Sequence, residues 1–109
     1  MKNATRYGLV SLLIALSLPL AALAQTSTWD GGSATTDNWM DADNWGGTAP
    51  SANDVLEFDG STRLTPSNDF TAGTQFNGID FLATAGAFTL SGNSVNLNGN
   101  ITSAATGIQ

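Results

Sequence analysis

The sequence predicts an all-β protein, and three observations lead to that prediction. Short apolar stretches alternate with Thr, Asn and Asp at every second place, which is the period of a strand. Gly, Asn and Asp separate these stretches at short intervals, as they do in turns. After residue 24 no stretch has apolar residues at helical spacing, and that part of the chain contains no lysine.

Residues 1–24 have the pattern of a cleaved signal peptide. Two basic residues precede the apolar run Leu9–Leu20, which is too short to span a bilayer comfortably. The tripeptide Ala-Leu-Ala at the end of the segment predicts cleavage between Ala24 and Gln25, and an uncleaved membrane anchor is the alternative. We therefore expect a mature chain that is secreted, periplasmic or at the outer cell surface, without integral membrane contact.

Residues 25–54 differ from the rest, and we expect them to form an irregular N-terminal cap. They hold all three tryptophans of the protein, Trp29, Trp39 and Trp45, and five of its nine acidic residues. The tripeptide Asp-Asn-Trp occurs twice there, within the stretch DNWMDADNWGG. Large rings are a means of ordering a glycine-rich chain, because each ring buries much apolar surface.

Residues 55–109 carry the predicted strands. These are Val55–Phe58, Ile79–Phe81, Phe88–Leu90 and Val95–Leu97, and Ile101 opens another. Two arrangements fit this pattern: the hairpins of a sandwich fragment, with a type I′ turn at Asn98-Gly99, or the stacked coils of a solenoid. The chain stops in the middle of the pattern, so we expect a truncated architecture or its N-terminal piece.

Composition and charge exclude several classes of function. Nine acidic residues oppose three basic ones, and after residue 24 Arg63 is the only basic residue, which argues against nucleic acid and anionic lipid as partners. The chain has no His and no Cys, so the usual nucleophilic triads and zinc sites are excluded. We expect no enzyme activity. A glycosidase would need a carboxylate pair such as Asp41 with Asp43 or Asp54 with Glu57, but acids among Asn and Gly are typical of turns.

One candidate metal site falls in the cap. Asp37, Asp41, Asp43 and Asn44 offer hard oxygen ligands within one loop, which is the chemistry that calcium requires. The spacing is not that of an EF-hand, because the glycine at the sixth place and the glutamate at the twelfth are missing. We expect no cofactor, with calcium at these four residues as the alternative.

A second candidate site is the tryptophan cluster itself. Trp29, Trp39 and Trp45 could form a carbohydrate-binding face, which would make the protein a small secreted carbohydrate-binding module. They could instead cover the first coil of the strand region, since the exposed end of a stacked-strand fold needs covering. We favour the second interpretation.

The stretch TWDGGSATTDNWMDADNWGGTAPSANDVLEF carries a resemblance to a known family. Its order of Trp-Asp-Gly, Trp, Asn-Trp, Gly-Gly, Pro, Asp and an apolar strand resembles the opening of bacterial proteins with autotransporter-associated β-strand repeats. The following STRLTPSNDFTAGTQFNGIDFLATAGAFTLSGNSVNLNGNIT is similar to the first coils of that family. The resemblance implies a right-handed parallel β-helix with a Trp-rich N-terminal cap. It also implies an exported structural or adhesin-type passenger without an assigned active site, whose partners would be cell-surface glycans or downstream repeats.

Overall fold

The structure is a computed structural model that describes residues 23–107. The predicted signal peptide lies outside the described residues except for its last two positions. The regular elements of the described part are short strands and one turn of 3₁₀ helix, Ala42–Trp45, which confirms the all-β prediction. The strands are β1 (Thr26–Trp29), β2 (Val55–Phe58), β3 (Ser67–Asn68), β4 (Thr74–Phe76), β5 (Gly78–Phe81), β6 (Ser91–Gly92), β7 (Val95–Leu97) and β8 (Ile101–Ser103).

The strands form three sheets in which every strand pair is parallel. The largest sheet has the order β1-β2-β5-β8, and the two smaller sheets pair β3 with β6 and β4 with β7. The chain therefore visits the three sheets in the same order twice, first through β2, β3 and β4 and then through β5, β6 and β7. From β2 onward, strands that follow each other in the sequence do not pair with each other.

The hairpin alternative, with a type I′ turn at Asn98-Gly99, is not formed for this reason. The strands that flank these two residues, β7 and β8, belong to different sheets. Glycine is required there because a Cβ atom on Gly99 would overlap the carbonyl oxygen of Asn77, which lies between β4 and β5. The same glycine signal thus marks a close approach of two backbones and not a two-residue reversal.

The alternation of apolar and polar residues corresponds to the two faces of the largest sheet. Leu56 and Phe58 of β2 are buried, and the register places Ile79 and Phe81 of β5 directly beside them, also buried. The intervening acidic residues face outward and accept hydrogen bonds from threonines one strand away, such as Thr28 to Glu57 at 2.9 Å. A one-residue slip would exchange these two faces, so the buried side chains define the register.

The strand predicted at Phe88–Leu90 is not formed; that segment is extended but has no ladder, and the next strand, β6, begins at Ser91. The Thr89 N–H donates to the Leu64 carbonyl at 2.8 Å. The next bond of a parallel ladder would need a donor on residue 66, which is proline and has no N–H. The ladder therefore starts one step later, where the Ser91 N–H donates to the Pro66 carbonyl at 3.0 Å.

The segment predicted to be an irregular cap has backbone contacts with β2, β3 and β4, one strand of each sheet. Its β1 pairs with β2 in register, and Asn38 forms a parallel bridge with Ser67 of β3. Beside β4, the Asn53 N–H donates to the Gln75 carbonyl at 2.7 Å. Backbone contacts therefore cross the expected boundary between residues 54 and 55.

Candidate functional site: the tryptophan and aspartate loop

The three tryptophans lie together in the interior, against the start of the strand core. Trp29 ends β1, Trp45 ends the 3₁₀ helix, and Trp39 follows the bridge to β3. Their exposed fractions are 0%, 6% and 2% in that order. A sugar platform needs an open ring face, so these rings in their present positions do not supply one.

Edge-to-face contacts connect the rings. Trp45 meets Trp29 with ring centroids 5.2 Å apart and planes at 87°, and it meets Trp39 at 6.5 Å and 88°. In this geometry the positive ring edge faces the negative ring face, which is the favoured arrangement for aromatic pairs. All three rings also contact Phe58 at centroid distances between 5.7 and 6.0 Å, so Phe58 is the centre of the aromatic cluster.

The loop before the 3₁₀ helix is organised by Asp41. Its carboxylate accepts hydrogen bonds from the hydroxyls of Ser33 at 2.6 Å and Thr36 at 2.8 Å. It also accepts from the Asp43 N–H at 3.2 Å and thereby caps the helix. The Ser33 and Thr36 hydroxyl donors and the Asp43 N–H together lower the pKa of the Asp41 carboxyl below its ordinary value.

Asn44 is a fully buried polar side chain at the centre of the loop. Its side-chain oxygen accepts from the Ser33 N–H at 3.1 Å. Its side-chain nitrogen donates to the carbonyls of Thr36 at 3.0 Å and Asn38 at 3.1 Å. One amide therefore satisfies three backbone groups that the irregular loop leaves without ladder partners. Asn44 therefore supports the loop. From the sequence pattern alone, the same residue was a candidate metal ligand.

Asp37 forms an ion pair with Arg63, which sits 26 positions later in the chain. The second carboxylate oxygen of Asp37 accepts from the Thr65 hydroxyl at 2.8 Å. These hydrogen bonds lower the pKa of Asp37, and the one from Arg63 has the largest effect. Arg63 also donates from Nε to the Ser33 carbonyl at 2.6 Å and has a positive φ of 49°. Its side-chain bonds hold a backbone conformation that side-chain-bearing residues rarely adopt.

Of the four calcium candidates, three already accept hydrogen bonds from protein donors. Asp37 faces Arg63, Asp41 faces the hydroxyls of Ser33 and Thr36, and the Asn44 oxygen accepts from a backbone N–H. Within residues 23–107 no group of three or more His, Cys, Asp or Glu side chains is arranged to hold a metal ion. A cation at this loop would first have to displace these protein donors.

One member of each carboxylate pair considered for glycoside hydrolysis, Asp41 and Asp54, accepts hydrogen bonds from backbone N–H groups. Asp54 is buried and accepts from the N–H groups of Gln25 at 3.0 Å and Ser51 at 2.8 Å. The sequence predicted turns at acids such as Asp54, but not the contact of Asp54 with Gln25, 29 positions earlier, and it predicted no partner for Arg63. Arg63 had a signal, because the only basic residue after residue 24 of an acidic chain is expected to find a carboxylate.

Comparisons of the chain with protein-family models, with curated proteins and with solved structures found no match. Over residues 23–107, no helix combines the length and the apolar character that a membrane span requires.

The lowered pKa values of Asp37 and Asp41 predict a loss of stability in acid. Both groups bind protons less readily in the folded chain, so their contribution is complete above the ordinary value of 3.8 and is lost as the pH falls through the lower folded values. We expect the free energy of unfolding to be nearly constant at higher pH and to fall below about pH 4. Urea titrations at a series of pH values measure this dependence.

The Asp37→Asn variant tests the assignment of that acid dependence. Since asparagine does not titrate, we expect this variant to be less stable at neutral pH and to lose less stability on acidification than the parent protein. Equal pH slopes for the two proteins would contradict the role given to the Asp37–Arg63 pair.

Proposed function

We propose that this chain is a non-enzymatic, exported structural segment of adhesin type. In this proposal it is the capped start of a right-handed parallel β-helix like those of autotransporter-associated β-strand repeat proteins. Its partners are further coils of the same kind or glycans of a cell surface. It acts by presenting a rigid, acidic surface, and its tryptophans pack in the core.

One observation carries the proposal, namely that successive parallel strands return to the same sheet at a nearly constant interval. Thr102 of β8 bonds the side chain of Asp80 of β5, 22 residues earlier, at 2.6 Å. Asn68 of β3 bonds the carbonyl of Asn93 in the next coil, 25 residues later, at 2.7 Å. A chain that returns in register at such intervals is a coil, and connections between parallel strands are nearly always right-handed.

The polar rows on the outside of the coils support the same proposal. Thr28, Glu57, Asp80 and Thr102 occupy one register position across the four strands of the largest sheet. The two threonine hydroxyls bond the two carboxylates, at 2.9 Å and 2.6 Å. Stacking of like positions on consecutive coils is the property that lets a solenoid extend by repetition.

A pair of introduced cysteines tests the coil architecture, because the protein has no native cysteine. Glu57 and Asp80 are register partners on neighbouring strands, which places their Cα atoms about 5 Å apart and within disulfide range. We expect the double variant Glu57→Cys, Asp80→Cys to form an intramolecular disulfide under mild oxidation, detected by mass spectrometry after proteolysis.

The matched control keeps the Asp80→Cys change and moves its partner one strand away. Thr28 and Asp80 are separated by β2, so their Cα atoms are about 10 Å apart, beyond disulfide range. Free thiols in the Glu57 pair, or equal oxidation of both pairs, would be incompatible with the parallel coil.

Export is tested at the predicted cleavage site. We expect protein expressed from the full chain in a Gram-negative host to begin at Gln25 and to leave the cytoplasm, as shown by intact mass and fractionation. Replacing Ala24 with Asp is expected to block cleavage, because the peptidase requires a small residue there, whereas Leu23→Gln changes a position it does not inspect. Cytoplasmic protein that retains Met1 would refute the export part of the proposal.

A further inference from the structure

Asp54 is a buried carboxylate that has no cationic partner in the part of the chain that the structure describes. It is 6% exposed. Its two oxygens accept hydrogen bonds from the N–H groups of Gln25 at 3.0 Å and Ser51 at 2.8 Å, and from the Ser27 hydroxyl at 3.3 Å. Arg63 is the only basic residue after residue 24, and it pairs with a different carboxylate. Asp54 therefore lacks the opposite charge that a buried carboxylate usually has.

The Asp54 carboxylate lies at the predicted signal-peptide cleavage site. The N–H that donates to it at 3.0 Å contains the nitrogen of the Ala24–Gln25 peptide bond. Leu23 is 86% exposed, and Ala24 is exposed as well. The bond that the peptidase is predicted to cut is therefore accessible on one side and joined to a buried carboxylate on the other.

Cleavage changes the group that faces Asp54. Hydrolysis of the Ala24–Gln25 bond leaves a carboxyl group on Ala24, and it leaves on Gln25 an amino group that takes up a proton at neutral pH. The Gln25 nitrogen is held in place, because the Gln25 carbonyl accepts from the Val55 N–H at 2.8 Å and Thr26 pairs with Val55. A neutral donor thus becomes a cation at hydrogen-bond distance, and such charge-assisted bonds are roughly twice as strong as neutral ones.

We propose that Asp54 binds the α-ammonium group of Gln25 in the cleaved chain, so that removal of the signal peptide completes a buried ion pair. The inference rests on the cleavage proposed above and adds to it a binding site that only the processed chain fills. The pair joins the residue before β1 to the residue before β2, 29 positions apart. It therefore strengthens the first strand pairing of the largest sheet.

The other acidic groups near the N-terminus do not face the ammonium position. A cavity of about 250 Å³ lies between residues 23–27 and residues 48–54, and Asp54 is the only titratable residue that lines it. The elements around β1 also carry Asp30, which follows β1, Asp43 in the 3₁₀ helix and Glu57 in β2. None of these three lines the cavity. Asp54 is therefore the carboxylate that determines the charge at this position.

Urea titrations at about pH 7 and about pH 10 test the proposal on the chain that begins at Gln25. That chain has no His, Cys, Lys or Tyr, so its α-amino group is the one group that titrates between these values. The ion pair raises the pKa of this amino group above its ordinary value of about 8, so its stabilisation is complete below that value and is lost as the pH rises through the raised pKa. We expect a rise of about one unit, which lowers the ratio of folded to unfolded protein about tenfold, or about 1.4 kcal/mol.

Three further proteins control the measurement. The same chain with its single amine acetylated keeps an N–H donor but has no charge, so we expect equal stability at both pH values. Asp54→Asn removes the partner and should also abolish the pH dependence. Asp59→Asn is the matched control: it makes the same change at a carboxylate at the other end of β2 and should retain the full pH dependence. Because the acetylated protein carries no substitution, the test holds even if Asp54→Asn does not fold.

The cleaved chain is prepared in two ways, so that failure of export and failure of this inference give different results. In one, protein is exported from the full chain, and intact mass shows whether it begins at Gln25. In the other, Ile-Glu-Gly-Arg replaces residues 21–24 of the full chain, and a protease that cuts after this tetrapeptide releases Gln25 in vitro. Intact mass also separates chains in which Gln25 has cyclised on its side-chain amide with loss of ammonia, and these count as blocked.

Two results would overturn the proposal. One is a stability of the free-amine chain that is the same at both pH values. The other is a loss of stability at high pH that is equally large in the acetylated protein or in Asp54→Asn. Protein that the host leaves uncleaved would refute export alone, because the chain released in vitro still tests the ion pair.

Discussion

Replacing Phe58 with alanine is expected to lower the free energy of unfolding by about 3 to 5 kcal/mol, a large part of the stability of a domain this small. Phe58 is fully buried. Besides the three tryptophans, it contacts Phe81 at 5.5 Å and Phe88 at 5.4 Å between ring centroids. Removing the ring leaves a cavity between the loop and the largest sheet that neither side can fill. Urea unfolding followed by circular dichroism measures the loss.

Met40→Ala is the control for this prediction. Met40 is also a large apolar residue, but it is 55% exposed, and its substitution is expected to change stability by less than about 0.5 kcal/mol. If Phe58→Ala were as stable as Met40→Ala, the aromatic cluster would not be the element that joins the loop to the strands. A loss confined to the tryptophan signal would contradict a single cooperative unit.

Replacing Asn44 with alanine is the second large effect. The change leaves the Ser33 N–H and the carbonyls of Thr36 and Asn38 without the partner that the amide supplies. An unpaired buried backbone group costs about 1 to 3 kcal/mol, so we expect a loss of about 2 to 4 kcal/mol after partial hydration of the loop. The melting temperature should fall, and tryptophan emission should shift to the red as Trp45 becomes exposed.

Asn38→Ala is the matched control, because Asn38 is exposed and only its backbone carbonyl contributes to the Asn44 contact. We expect it to be nearly neutral. Asn44→Ala also separates the structural role from calcium binding. If the role of Asn44 is structural, the substitution lowers the free energy of unfolding by the same amount with calcium and with a chelator. A difference between the two conditions would restore residues 37 to 44 as a metal loop.

The sequence predicted strands correctly where apolar residues alternate and are buried. It did not predict the strands that form only through backbone pairing with a distant segment. Val55–Phe58 and Val95–Leu97 were predicted with the bounds that β2 and β7 have. The strands β3 and β4 were not predicted, since Ser67–Asn68 has no apolar alternation and Thr74–Phe76 has only one apolar residue. Those strands exist because β6 and β7 pair with them, which is a property of the fold and not of the local sequence.

The candidate site illustrates the same division. The repeated Asp-Asn-Trp lies in the loop that holds Trp39 and Trp45. Residue type alone did not distinguish metal binding or sugar stacking from hydrogen bonding and packing within the protein. Asp37 could be assigned only when the fold brought Arg63 to it from 26 positions away. Asn44 could be assigned only when its three backbone partners were located.

The amino-acid sequence by itself determined that this protein is built from short strands, that its chain is acidic, and that chemistry based on histidine or cysteine is unavailable. These properties depend on local periodicity and on composition, which can be read without knowing any long-range contact. Only the tertiary structure decided that the strands pair in parallel and that Gly99 serves a close approach and not a hairpin. Pairing partners more than 20 residues apart are selected by the burial of whole columns of side chains, and that burial exists only once the strands are paired in their sheets.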